Sequence, residues 1–166
     1  GNTTDKALME FLTENRFNEL SNDNLEITKQ QGFNSTNKFS SVYIEQLGKT
    51  FYKGAPEKML NNATKYIDEN GNIKEINKEK LNEKINELAS RAMRLIAFGY
   101  SNKELIEDKI NEDLVIIGFV AIRDDVRPEA ITAIKEVQNA GIQVIMMTGD
   151  RKETAKAISI DCGILK

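Results

Sequence analysis

At 166 residues the chain is long enough to bury one substantial core, or one core and a small appendage. Its 23 basic residues stand against 26 acidic ones, a net charge of -3 that leaves no electrostatic case for nucleic acid. Histidine is absent and Cys162 is the single cysteine, which excludes Ser-His or Cys-His catalysis, a His-based metal site and an intrachain disulfide.

The first predicted element is a helix over residues 4–17. Thr4 can cap it, Asp5 sits in its first turn, and Ala7, Leu8, Phe11 and Leu12 form an apolar stripe. Residues 18–24 read as a polar loop and 25–33 as extended. Alternation over 38–46 predicts a strand, turned by Leu47-Gly48-Lys49 into a second strand over 50–53. A short helix is expected over 57–64, with Pro56 suited to its first position. A turn at 68–72 follows, between short extended pieces. Residues 77–93 carry a longer helix with Leu81, Ile85, Leu88 and Ala92 on one side, its charges forming a solvated face. Two strands are expected over 94–100 and 114–122, separated by the charged segment 102–113.

Beyond Arg123 the pattern changes. A helix over 128–140 should turn Ile131, Ile134 and Val137 inward and stop at Gly141; an apolar strand over 142–147 and a helix over 152–160 follow. Helix, buried strand and helix suggest a doubly wound parallel sheet, whereas the first part suggests an antiparallel sheet flanked by helices. The class is therefore α+β, with domains at 1–123 and 124–166. No apolar run approaches the ~20 residues that span a bilayer.

Several positions carry chemistry. Lys53 ends an apolar strand beside Gly54, where a backbone or ligand can approach closely, and the helix opened by Pro56 adds partial positive charge. Read alone, this is equally a polar turn with a lysine. Phe33 could stack on a base or belong to the core. Lys38 suits a point-charge role or simple solvation. Arg94 interrupts an apolar strand, where it can fork onto a phosphate or pair with a glutamate at a sheet edge. Thr148-Gly149-Asp150 leaves a strand and enters a helix, a place where α/β sheets bind ligands and where Asp150 could also cap the helix. No Walker A sequence is present.

Taken together, these segments resemble the P-type cation-transporting ATPases of the calcium-pump branch. Gly1 to Leu8 is similar to that family's Gly-x-x-Thr-Glu-x-Ala-Leu, and Phe33 to Tyr43 to its Phe-Ser-x-x-x-Lys-x-x-Ser-Val. Lys53 to Glu57 matches Lys-Gly-Ala-Pro-Glu, and Ala92 to Ala97 resembles Leu-Arg-x-Leu-Ala. Asp124 to Arg127 looks like the Asp-Pro-x-Arg hinge, and Thr148 to Ala155 like Thr-Gly-Asp-x-x-x-Thr-Ala. Three positions depart from the pattern: Asp5 replaces a glutamate, Ser35 an arginine common in the branch, and Asp125 the hinge proline.

The resemblance implies a nucleotide-binding domain followed by part of a haloacid-dehalogenase-like phosphorylation domain. It implies ATP or ADP held by Asp5, Phe33, Lys38, Lys53, Gly54 and Arg94. Thr148, Gly149, Asp150 and Asp124 would lie near the transferred phosphoryl group and its Mg²⁺, with no metal site in the chain alone. The family's phosphorylated aspartate lies in Asp-Lys-Thr-Gly-Thr, which this chain does not contain, nor does it contain Gly-Asp-Gly-x-Asn-Asp. The expectation is a piece of a pump, inactive by itself, whose partners are ATP and the remaining phosphorylation, actuator and membrane domains. It would lie on the cytoplasmic side of a bacterial plasma membrane and could self-associate through its C-terminal part. The alternatives are a non-catalytic nucleotide-binding or interaction module, and a sodium or proton pump. A standalone phosphatase of the haloacid-dehalogenase type lacks its Asp-x-Asp-x-Thr-like loop here.

Overall fold

The computed structural model of the chain describes residues 3–14, 24–91, 93–123 and 126–165. Among these, β1 (Lys29–Gln31), β2 (Phe39–Ile44), β3 (Lys49–Gly54), β4 (Ala63–Ile67), β5 (Ile73–Glu75), β6 (Met93–Ser101) and β7 (Leu114–Arg123) form one sheet. Their spatial order is β1-β2-β3-β6-β7-β4-β5. The helices are α1 (Thr3–Glu14), α2 (Pro56–Asn62), α3 (Lys78–Ala89), α4 (Pro128–Asn139) and α5 (Lys152–Asp161).

The register gives the sheet two distinct faces. Ser40, Lys53 and Phe98 lie side by side on one, and Phe39, Gly54 and Ala97 on the other. The second face holds the core. Met59 and Leu60 of α2, with Ile85 and Ala89 of α3, pack there against Phe39, Tyr52, Leu95, Ala97, Leu114 and Ile116. Burying each large apolar side chain contributes roughly 1.5–3 kcal/mol, so this two-helix layer holds the sheet together. The Asn77 side chain caps α3 by accepting from the Lys80 amide at 2.9 Å.

The sheet is mixed, not antiparallel throughout: β4 runs parallel to β7, pairing Ala63 with Leu114 and Tyr66 with Ile116. The cause lies at residues 63–67. The expected helix over 57–64 ends at Asn62, because Ala63 turns extended (φ -93°, ψ 140°) and Thr64, Tyr66 and Ile67 favour a pleated surface. Helix α3 then crosses from β5 to β6, which run in the same direction, and β7 returns beside β4. The helix expected over 77–93 stops at Ala89, and the long extended stretch at 25–33 narrows to Lys29–Gln31.

After β7 two expectations fail. Residues 142–147 form no strand, and no residue of α4 is buried. Ile131 and Val137 are exposed, as are Ile142, Ile145 (72 %) and Met147 (93 %). Apolar composition predicts a buried strand only if other strands flank it, and among the described residues none pairs with this segment. Helix α5 does find cover: Thr154 and Ser159 are buried, the Thr154 hydroxyl donates to the Met93 carbonyl (3.3 Å), and Arg151 reaches Asn86 (2.7 Å).

The turn between β4 and β5 has its own electrostatic lock. Asp68 pairs with the Lys74 ammonium at 2.6 Å and accepts the amides of Asn72 and Asn70. Lys74 first, and those amides second, lower its carboxyl to about 2. A depressed folded pKa contributes stability that is complete above the unfolded value and vanishes as the pH falls through the folded one. Asp68→Asn should therefore lower the urea midpoint at neutral pH. The gap to wild type should close between about pH 4 and about pH 2, the unfolded and folded values; a gap constant across that window would contradict the assignment.

Candidate functional site

The β2–β3 hairpin sets the first part of the site. Alternation along Lys49–Gly54 turns Thr50, Tyr52 and Gly54 into the core and leaves Lys53 on the opposite face. There its ammonium meets the Asp5 carboxylate at 2.6 Å, which ties α1 to that face. Gly54 has a packing reason to be glycine. A Cβ there would lie 2.6 Å from the Phe39 Cβ and 2.7 Å from the Lys38 carbonyl oxygen, so the β2 backbone already occupies the space. The Ala55 amide donates to that same carbonyl (2.9 Å), and Pro56 opens α2 immediately after.

Arg94 stands near the start of β6, a central strand and not an edge, on the same face as Phe98 and Lys53. Its Nε and Nη2 donate to the two carboxylate oxygens of Asp150, both at 3.1 Å, and its Nη1 to the Thr4 hydroxyl at 3.4 Å. This parallel fork is the geometry a guanidinium uses on a phosphate. Asp150 does not cap the following helix: the residue before α5 is Arg151, and no side chain caps it. The Thr148 hydroxyl accepts from the Asp150 amide (3.1 Å), while Gly149 is exposed.

Lys38 adopts a left-handed backbone (φ 58°) and lies 3.9 Å from Glu57 of α2. Phe33 is 64 % exposed in the loop between β1 and β2, so its ring is available to a ligand and is not core. Asp124 lies outside the described residues. The structure thus brings Asp5 to Lys53 and Arg94 to Thr4 and Asp150 around the start of α1, sets Lys38 beside Glu57, and leaves Phe33 in solvent.

Chemically these positions supply three cations, each facing a carboxylate here, and an exposed aromatic ring, groups of the kind that hold a polyanion carrying a flat ring. Magnesium binds through one or two carboxylates plus phosphate oxygens, so Asp150 could contribute to a metal arriving with such an anion. A separate cavity of about 860 Å³ lies against α3, lined by Tyr66, Ile76, Leu81 and Phe119, and none of the expected site residues lines it. Glu57 and Asp108, which contact the site's loops, carried no signal beyond helix start and charged segment.

Comparison with known proteins adds the family context. Residues 1–129 match the family model described as P-type ATPase, cytoplasmic domain N. The chain is 38% identical over 175 residues to the calcium-transporting ATPase PAT1 of Dictyostelium discoideum, covering 99% of this chain and 16% of that protein. It is 36% identical over 176 residues to the plasma membrane-type calcium-transporting ATPase 10 of Oryza sativa subsp. japonica, covering 99% of this chain and 17% of that protein. With the plasma membrane-type calcium-transporting ATPase 8 of Arabidopsis thaliana the identity is 31% over 182 residues, with coverage of 99% and 17%. The chain therefore spans only 16–17% of the length of these curated relatives. None of the three organisms is a bacterium, so the bacterial membrane expected above has no support from them.

Proposed function

The chain belongs to the P-type ATPase family, within its cytoplasmic domain N, and on that premise we propose that it is the nucleotide-holding part of a calcium-transporting pump. It presents ATP to a phosphorylated aspartate that lies in another segment of the same protein. The observation that carries the reading is that Lys53 and Arg94 lie on one sheet face, Lys53 paired with Asp5 at 2.6 Å and Arg94 with Asp150 at 3.1 Å, with a largely exposed Phe33 in the loop before β2.

In this reading Phe33 stacks on the adenine, Lys38 lies near the base, Lys53 lies toward the phosphates, and Arg94 grips them. Asp5 approaches the adenine amino group once Lys53 turns to the nucleotide. Residues 1–123 form the nucleotide-binding domain, and 124–166 form the hinge and part of a haloacid-dehalogenase-like phosphorylation domain. Closure around 124–128 would bring the γ-phosphate to the aspartate, a positioning role typical of phosphoryl transfer. Mg²⁺ would neutralise phosphate charge, with Thr148, Gly149 and Asp150 close to it. Calcium is the transported ion in the names of the relatives, and the domain would sit on the cytoplasmic side of the membrane that holds the pump. The exposed apolar residues Ile145 and Met147 would be covered by other domains of the pump or by a second copy.

The direct test is calorimetric titration of the chain with ATP and ADP. Weak binding without autophosphorylation is expected, and no heat or chemical-shift change at millimolar nucleotide would refute the reading. The Arg94–Asp150 fork adds a sharper result. An exposed ion pair is worth at most about 1 kcal/mol, so breaking it costs little, yet it competes directly with the phosphates. In Mg²⁺-free buffer, where Asp150 acts only as the competitor of the phosphates, Asp150→Asn should raise ATP affinity by about 5-fold, the equivalent of that ~1 kcal/mol. Arg94→Ala should erase any preference between ATP and ADP. An unchanged preference in Arg94→Ala would remove the guanidinium from the phosphate site.

A further inference from the structure

The loop that carries Phe33 is held from outside by a residue 75 positions further on. Asp108 lies in the charged segment between β6 and β7 with φ 57°, a left-handed conformation that Asp and Asn tolerate better than most residues. Its Oδ1 accepts from Gln31 Nε2 (3.2 Å) and from Asn37 Nδ2, and its own amide donates to Gln31 Oε1 (2.8 Å). Gln31 ends β1 and Asn37 precedes Lys38, so these bonds grip the Phe33 loop on both sides of the ring. Inside the loop, Asn34 accepts the amides of Asn37 (2.7 Å) and Lys38 (2.8 Å), which closes it into one turn.

Three residues further on, the same segment is anchored in the core. Asn111 is buried, and its Nδ2 donates to the Ser101 hydroxyl and to the Lys103 and Glu104 carbonyls, while its amide donates to the Tyr52 hydroxyl. Asp113 accepts from the Ser101 hydroxyl (2.6 Å), and Glu104 pairs with Lys29 of β1. Hydrogen bonds therefore tie the segment between β6 and β7 to the sheet interior at Asn111, and the same segment holds the Phe33 loop at Asp108.

We propose that Asp108 is a positioning residue for nucleotide binding: it fixes the Phe33 loop so that the ring is preset for the base. This rests on the reading that Phe33 takes the purine. Presetting a loop lowers the ordering cost that a ligand otherwise bears on binding. Asp108 is exposed and Gln31 and Asn37 are half-buried, so the effect is modest.

The test uses the whole chain with Asp108→Gly, which removes the acceptor without backbone strain, and Asp108→Asn, which keeps Oδ1 and tolerates the left-handed backbone. Asp108→Gly should weaken ATP binding by about 3- to 10-fold, the loss of one or two exposed hydrogen bonds. Affinity for inorganic tripolyphosphate should stay the same, and the Phe33 ring resonances should shift or broaden. Asp108→Asn should restore both ATP affinity and the ring signals. The proposal falls if Phe33→Ala loses ATP affinity while Asp108→Gly keeps it, or if Asp108→Gly weakens ATP and tripolyphosphate alike. If Phe33→Ala itself binds ATP as the wild type does, the purine reading falls and takes this proposal with it.

Discussion

Replacing Phe33 by alanine is expected to weaken ATP binding by about 5- to 150-fold, the equivalent of ~1–3 kcal/mol for one aromatic face on one base. The ring is 64 % exposed, so its removal takes little from the core, and the unfolding midpoint should barely move. Loss of affinity without loss of stability is what separates a ligand platform from a packing residue. Calorimetry with ATP and with inorganic tripolyphosphate distinguishes the base contribution from the phosphate contribution. Binding of tripolyphosphate should survive the substitution, because Lys53 and Arg94 are untouched. An equal drop for both ligands would mean that the loop, and not the ring, had been disturbed.

Gly54→Ala is expected to damage both fold and site. The added methyl would meet the Phe39 Cβ at 2.6 Å, the Lys38 carbonyl oxygen at 2.7 Å and the Phe39 Cα at 2.9 Å. These atoms belong to the neighbouring strand's backbone or lie next to it, so no side chain can swing aside. The β2–β3 pair must separate or shift, and overpacking of this kind costs roughly 1–3 kcal/mol. Lys53 precedes Gly54 and the Lys38 carbonyl receives the Ala55 amide, so the same shift displaces two of the site's cations. Urea unfolding and ATP titration should both register the change. Stability within ~0.5 kcal/mol of wild type, the range of a neutral surface substitution, would show that the strands give way more easily than the distances imply.

Much of the local structure was legible in the residues. The hairpin through Gly48, the helix beginning at Pro56, the helix after Asn77 and the two long strands β6 and β7 all follow from alternation, helical spacing and turn chemistry. The segment around Lys53-Gly54-Ala55-Pro56 also announced itself, and so did Arg94 as a charge inside an apolar run. What escaped was pairing at a distance. Nothing near Asp150 indicates that its carboxylate will take the Arg94 fork 56 positions away. Nothing near Asp108 points to Gln31 and Asn37.

The element types and the family motifs were set by short-range pattern, because propensity, capping and periodicity act within a few residues. Which faces were buried, which acid met which cation, and whether an apolar run became a strand depended on neighbours supplied by the folded whole. The segment 142–147 illustrates the difference. Its composition is that of a buried strand, yet among the described residues no strand pairs with it, and Met147 lies almost fully in solvent. The parallel seam between β4 and β7 has the same origin, since strand direction follows from the path of α3 across the sheet and not from the residues of either strand.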